Sequence, residues 1–308
     1  MRSVVFAYHD IGCVALEALL HAGATVPAVI THEDDPGETI WFRSVRRLAQ
    51  ASGLPVYAPQ TVNTAEWIER IRSWEPDFLF SFYYRKMLAP EVLALARRGA
   101  LNLHGSLLPK YRGRSPVNWV LIHGERETGV TLHYMEAKPD RGDIVAQRTV
   151  PITDEDTART LFDKLTAAAA ALMRETYPRL CDGTAPRIPQ DHTRATYFGG
   201  RRPEDGRIDW TQSARGIFNL IRAVTHPYPG AFGTWQGRTV YVWEAHPRPD
   251  ALHTAAAPGT VVAVEPALVV QTGTGVLELT RVQEPGEPEA SGAEWARHHA
   301  VPEGAQLT

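Results

Sequence analysis

Two kinds of apolar pattern alternate along the first 180 residues. Residues 3–8 (SVVFAY) form an unbroken apolar run of strand length. Residues 14–23 repeat apolar positions every three to four residues and stop at a glycine suited to a helix C-terminus, and 25–32 return to a strand pattern. A strand–helix–strand order builds a parallel sheet. The alternation continues with helices predicted over 44–53, 65–74, 90–99 and 115–125. Strands are predicted at 77–84 and at 100–105, the second opening into a loop. A strand pair at 129–135 and 143–152 precedes a long helix over 157–180. The run at 77–84 (DFLFSFYY) is apolar at nearly every position, as a strand covered on both faces requires. Residues 191–205 are polar and read as a linker. Beyond them one helix (217–224) is followed by short strand patterns broken by Gly and Pro, which predicts a small, barrel-like second domain. The predicted class is α/β, with a catalytic domain over 1–203 and a C-terminal domain over 204–308.

Composition narrows the reading. A chain of 308 residues with 44% hydrophobic and 22% charged residues can bury a core without metal or disulfide staples. Cys13 and Cys181 form no CxxC pair, so neither metal ligation nor a redox motif is expected. The N-terminus lacks the apolar length and small-residue site of a signal peptide, and no stretch reaches the ~18 apolar residues of a membrane span. The cytoplasm is the expected location, with no membrane partner. The net charge is −3, and the C-terminal stretch carries Glu265, Glu278, Glu284, Glu287, Glu289, Glu294 and Glu303 against Arg281 and Arg297. Such a tail repels a phosphate backbone, so a nucleic-acid partner is not expected. The first strand–helix turn, YHDIGCV, lacks GxGxxG, which argues against a dinucleotide, although a helix N-terminus near Gly12 could hold a phosphate.

The densest group of chemically capable residues is LNLHGSLLPKYRGRSP (101–116). Asn102 and His104 are two apart on one strand, so both leave the same face, at the strand end where ligands of open α/β sheets bind. An imidazole there can take a proton from an attacking amine, which contributes about 10²–10⁴ in rate. A carboxamide can donate to a developing oxyanion. These groups suit acyl transfer to an amine.

That string, with its Asn-x-His, the SLLPKYRG loop and the downstream Asp140-Arg141-Gly142, resembles the formyltetrahydrofolate-dependent formyltransferase family. The resemblance runs through the whole chain and implies a Rossmann-like, mostly parallel sheet followed by an OB-like β-barrel. It implies 10-formyltetrahydrofolate as formyl donor and no metal. His104 becomes the general acid/base, Asn102 the oxyanion donor and Asp140 the partner that tunes the histidine. Lys86, Met87, Leu88, Arg114 and the stretch Glu136, Ala137, Lys138, Pro139, Asp140 match the segments that hold the folate. Met87 and Leu88 also offer apolar surface for a pterin, and Arg114 a charge. VVFAYHDIG, THEDDPGE, FSFYYRKML and FGGRRPEDGRIDW are similar to the subgroup acting on UDP-4-amino-4-deoxy-L-arabinose, a lipid A modification linked to polymyxin resistance.

The acceptor side is expected to involve His9, Gly12, Tyr111, Asn118 and Arg201, the arginine through its forked donors to a diphosphate. His133 sits mid-strand and reads as a packed or edge residue. The His298–His299 pair has no evident metal-ligand partner in the sequence and reads as surface. The alternative acceptors are initiator methionyl-tRNA, which the acidic tail and the absence of a basic loop in 33–45 disfavour, and another nucleotide-linked amino sugar.

Overall fold

A computed structural model describes residues 1–35, 37, 39–248 and 256–308, which fold as two compact units. The first comprises residues 1–116, 127–151 and 162–199, and the second 117–126, 152–161 and 200–308.

Strands β1 (Ser3–Ala7), β2 (Val29–Ile30), β3 (Val56–Tyr57), β4 (Phe78–Phe82) and β5 (Gly99–His104) are joined by helices α1 (His9–His21), α2 (Val45–Ala51), α3 (Ala65–Ser73) and α4 (Pro90–Leu93). A two-residue strand β6 (Arg112–Gly113) and helix α5 (Pro116–Ile122) come next. Strands β7 (Glu127–Tyr134) and β8 (Ile144–Pro151), helix α6 (Ala158–Asp182) and a two-residue strand β9 (Tyr197–Phe198) complete this half of the chain. The main sheet has the order β3-β2-β1-β4-β5-β7-β8. The first five strands are parallel, because helical crossovers return the chain to the same edge. Strands β7 and β8 run antiparallel, joined by a connection without a helix. The strand order reverses between β1 and β4, and in such sheets the crevice beyond the carboxyl ends there is where ligands bind.

Strands β1 and β4 are buried at every position, and burying each large apolar side chain contributes about 1.5–3 kcal/mol. Ser44 and Thr64 cap α2 and α3 by accepting from the N–H groups of Arg47 and Trp67. Helix α1 starts at His9, before the predicted 14. Its first turn buries His9, Ile11, Gly12 and Cys13 and leaves Asp10 part-exposed, so the apolar and polar positions there do not alternate with a clear helical period. Helix α4 stops at Leu93 rather than 99, because the N–H groups of Arg97 and Arg98 bond to the carbonyls of Pro76 and Asp77 and lead the chain into β5. The expected linker at 191–205 is also ordered differently. It holds a turn at His192–Arg194 and β9, which pairs in parallel with β6. Both cysteines are free.

The second unit carries α7 (Ala214–Val224) and a five-stranded antiparallel sheet of β10 (Ala231–Trp235), β11 (Arg238–Arg248), β12 (Val261–Ala263), β13 (Leu268–Gln271) and β14 (Val276–Gln283). Its order is β10-β11-β14-β13-β12, with a bulge in β11 near Val242 and Glu244. The curled antiparallel sheet is OB-like. The periodicity did not reveal α8 (Gly292–His298), yet Ser291 and Glu294 form a reciprocal capping box at its start, a pattern legible in the sequence. Among the described residues no helix is long and apolar enough to cross a membrane.

Candidate functional site

The parallel part of the sheet ends at β5, and β7 lies antiparallel beside it with His133 opposite Asn102 and Thr131 opposite His104. Two-residue alternation on both strands therefore gathers four polar side chains on one face. His104, Thr131 and His133 are buried and Asn102 is half-buried. The connection from β7 to β8 then delivers Asp140, with φ 55°, a left-handed conformation that Asp tolerates better than most residues. Gly142 fixes this bend, since a Cβ there would meet the Tyr134 carbonyl at 2.0 Å.

Asp140 lies between two imidazoles. Its Oδ1 is 3.6 Å from His104 Nδ1 and 3.5 Å from His133 Nε2, and its Oδ2 accepts from the Gly113 N–H at 2.8 Å. Burial alone would raise this carboxyl's pKa. The opposing pull of His104 and the Gly113 amide is greater and holds it well below the usual carboxylate range, so Asp140 is a fixed negative charge. His104 Nε2 lies 2.8 Å from the Tyr111 carbonyl. A carbonyl only accepts, so Nε2 carries the proton and Nδ1, facing Asp140, is the nitrogen left to accept one.

The loop after β5 is stapled from below. Thr131 Oγ1 donates to the Ser106 carbonyl at 2.6 Å and accepts from the Leu108 N–H at 3.1 Å. Gln147 Nε2 donates to the Leu108 carbonyl at 2.8 Å, and Ser106 Oγ donates to the Lys110 carbonyl at 2.7 Å. Gln190 Nε2 donates to the carbonyls of Asp140 (3.0 Å) and Gly142 (2.7 Å), while its Oε1 accepts from Arg112 at 2.6 Å. Burial lowers the Arg112 pKa, Arg141 adds to this, and Asp140 opposes it. Tyr83, Tyr111, Ser115 and Asp140 all have positive φ and lie in the loops beyond β4, β5 and β7, which concentrates backbone strain around this site.

Of the expected trio, His104 and Asp140 lie 3.6 Å apart, and Asn102 is linked to them through His133. The sequence reading missed His133, read as packing. Its signal was the alternation Thr131-x-His133 in an otherwise apolar strand, on the face that β5 uses for Asn102 and His104. Tyr111 enters by its backbone: its carbonyl holds His104, and its ring stacks on Phe198 at 5.2 Å. Met87 is exposed, as are Arg114 and residues 136–139 leading to Asp140. Lys86 Nζ donates to the carbonyls of Pro59 and Gln60.

Several residues expected to make contacts have partners of their own within the protein. Leu88 offers no apolar surface, because its side chain packs in the core with Val62, Ile71 and Val92. Gly12 is no phosphate donor: α1 begins at His9, so the Gly12 N–H is already bonded to the Tyr8 carbonyl at 3.2 Å. Asn118, in the second unit, spends its amide on the Ala223 carbonyl at 2.7 Å. His9 is buried, stacked on Phe42 at 3.7 Å and edged by Trp41 and Phe162. Arg201, also in the second unit, lies 4.8 Å over the Trp119 ring and donates to the Asp205 carbonyl; burial lowers its pKa. The His298–His299 pair does have a neighbour: Glu287 lies within reach of both, and His299 Nε2 is 3.2 Å from its carboxylate, which ties the end of α8 to the preceding turn.

A buried carboxylate, an imidazole with one nitrogen ready to accept a proton, and a carboxamide on the same face can move a proton while stabilising charge on a carbonyl oxygen. Residues 4–177 match the family model described as formyl transferase, and residues 201–300 that of the formyl transferase C-terminal domain. The fold is similar to that of an N-formyltransferase from Helicobacter canadensis, solved with folinic acid and dTDP-3-aminofucose (TM-score 0.69, 20% identity, covering 92% of this chain and 98% of that one). It is also similar to WlaRD, a sugar 3N-formyl transferase solved with dTDP and 5-N-formyl-THF (TM-score 0.69, 17% identity, 94% and 99% covered). A third similar fold is a sugar N-formyltransferase from Shewanella sp FDAARGOS_354 (TM-score 0.64, 17% identity, 79% and 96% covered).

Proposed function

Because this chain belongs to the formyl transferase family and is a formyl-transferring enzyme, we propose that it moves the formyl group of 10-formyltetrahydrofolate to the 4-amino group of UDP-4-amino-4-deoxy-L-arabinose. The observation that carries the reaction is the Asn102–His104–Asp140 cluster at the end of β5. The donor supplies the formyl carbon when bound. Exposed Met87, Arg114 and residues 136–139, leading into buried Asp140, are the residues that would hold it. The acceptor amine attacks the formyl carbon directly, and no enzyme nucleophile is needed. His104 Nδ1 takes the proton that the amine loses and returns it to the departing donor nitrogen, while Asp140 stabilises the imidazolium. Asn102 donates to the oxygen on which charge develops.

The nucleotide-sugar acceptor rests on the sequence motifs of that subgroup and on the sugar nucleotides bound by proteins of similar fold. The dTDP ligands of two of those proteins favour a dTDP-linked amino sugar as the second reading. The test is a competition assay. The enzyme is incubated with 10-formyltetrahydrofolate and, in turn, UDP-4-amino-4-deoxy-L-arabinose, a dTDP-amino sugar and charged initiator tRNA, with formylated product followed by mass spectrometry. The proposal expects formylation of the UDP sugar at the highest kcat/KM. Preferential formylation of either rival overturns the acceptor.

A further inference from the structure

We infer that His133 is a positioning residue that sets which end of the Asn102 amide faces the reacting carbonyl; the inference rests on the formyl-transfer reading above. His133 is 1% exposed, so its ring nitrogens find partners only within the protein. Its Nδ1 lies 2.8 Å from the Tyr134 carbonyl, which can only accept, so Nδ1 carries the ring proton. The neutral ring then has a lone pair at Nε2, and Asn102 Nδ2 stands 3.2 Å from it. Asp140 Oδ1, at 3.5 Å from the same nitrogen, is a longer and weaker contact that cannot donate. Asn102 Nδ2 is therefore the donor to His133, and its second N–H is the one left for the developing oxyanion.

A carboxamide is nearly symmetric in shape, and its two ends are told apart only by hydrogen-bond partners. Asn102 would otherwise turn its oxygen toward the reacting carbonyl for part of the time and repel the charge it should stabilise. The backbone makes the pairing specific. Asn102 and His133 are directly opposed in the antiparallel register of β5 and β7, where side chains on the same face touch. Thr131, opposite His104, holds the loop in the same way. One strand thus supplies a partner to Asn102 and an anchor to the loop that follows His104.

The test combines kinetics with nuclear magnetic resonance. His133→Leu keeps the bulk and removes the acceptor. Loss of one oxyanion donor costs about 10²–10³ in kcat, and a mis-set amide should lose about 10–100-fold of it, with KM for both substrates within about 2-fold. His133→Gln, whose carbonyl can accept from Asn102, should recover most of the rate. In an Asn102→Ala background, His133→Leu should add no further loss. Multiplied losses in the double variant, or a KM effect with unchanged kcat, would overturn the role. Independently of activity, nitrogen-15 spectra of the wild-type protein should show His133 protonated at Nδ1 and not at Nε2; the reverse tautomer also overturns it. A wild-type enzyme that formylates no acceptor would instead sink the formyl-transfer reading, and the tautomer measurement would still decide the hydrogen bond.

Discussion

His104 and Asp140 define opposite halves of one proton-transfer device. His104 has a single nitrogen free to accept, because the Tyr111 carbonyl holds the other. His104→Ala should therefore lower kcat about 10²–10⁴-fold with little change in KM, as steady-state kinetics with saturating donor would show. Asp140 is a charge the fold has prepared, its pKa depressed by His104 and the Gly113 amide against the effect of burial. A depressed carboxyl contributes stability above its unfolded pKa of about 3.9 and loses it as pH falls toward the folded value. The gap in denaturant midpoint between wild type and Asp140→Asn should thus be widest from about pH 5 upward and close in stronger acid. A gap that widened on acidification would show that the carboxylate is not what the fold stabilises. Asn102 and His104 were legible as a pair because alternation on a strand is a rule of covalent geometry. Asp140 was legible only through the family motif, since no local pattern says that a loop aspartate comes back to the same strand end.

At the scale of elements, the antiparallel addition of β7 to a parallel sheet gives β5 its second polar row. Thr131 is the test of this. Thr131→Val keeps the shape but removes a hydroxyl that serves the Ser106 carbonyl, the Leu108 N–H and Gln147. Stranding those buried groups should cost about 1–3 kcal/mol, read as a lower denaturation midpoint with a fall in kcat. The pairing of β6 with β9 carries a second prediction. Gly113 has φ +100°, and a Cβ there would meet the Phe198 carbonyl at 2.2 Å. Gly113→Ala should lose about 1–3 kcal/mol through backbone strain alone, and it should also shift the amide that binds Asp140. Limited proteolysis of residues 191–199 would report the opened pairing. The polar composition of that segment made it read as a linker. Its ordering comes from partners distant in sequence, Tyr111 and Arg112, which bond to Thr196 and, through the Arg112 guanidinium, to His192, and which composition does not encode.

At the scale of the whole chain, charge bears on the acceptor. The tail's glutamates are more internally matched than the sequence implied: Glu265 pairs with Arg297, Glu289 with Arg281, and Glu278 and Glu284 with Arg248 and Arg238 from β11. The remaining charge is mild rather than strongly repulsive, and the net charge of the chain is −3. Gel-shift titration with initiator tRNA at about 0.15 M salt should show no complex, since affinity there depends on neutralised phosphates. A tight, steeply salt-dependent complex would restore the tRNA acceptor. The sequence by itself determined the alternation of the main strands and helices in the first half, the two halves of different texture, and the Asn-x-His pair, because hydrophobic period and side-chain alternation are local properties of the chain. Only the tertiary structure decided that β7 runs antiparallel against β5, that His133 reaches Asn102, that Asp140 sits between two imidazoles, and that Gly12, Leu88 and Asn118 are spent on packing and backbone bonds. Those outcomes depend on register and on contacts between residues tens of positions apart, which burial and hydrogen-bond satisfaction select only once the sheet has formed.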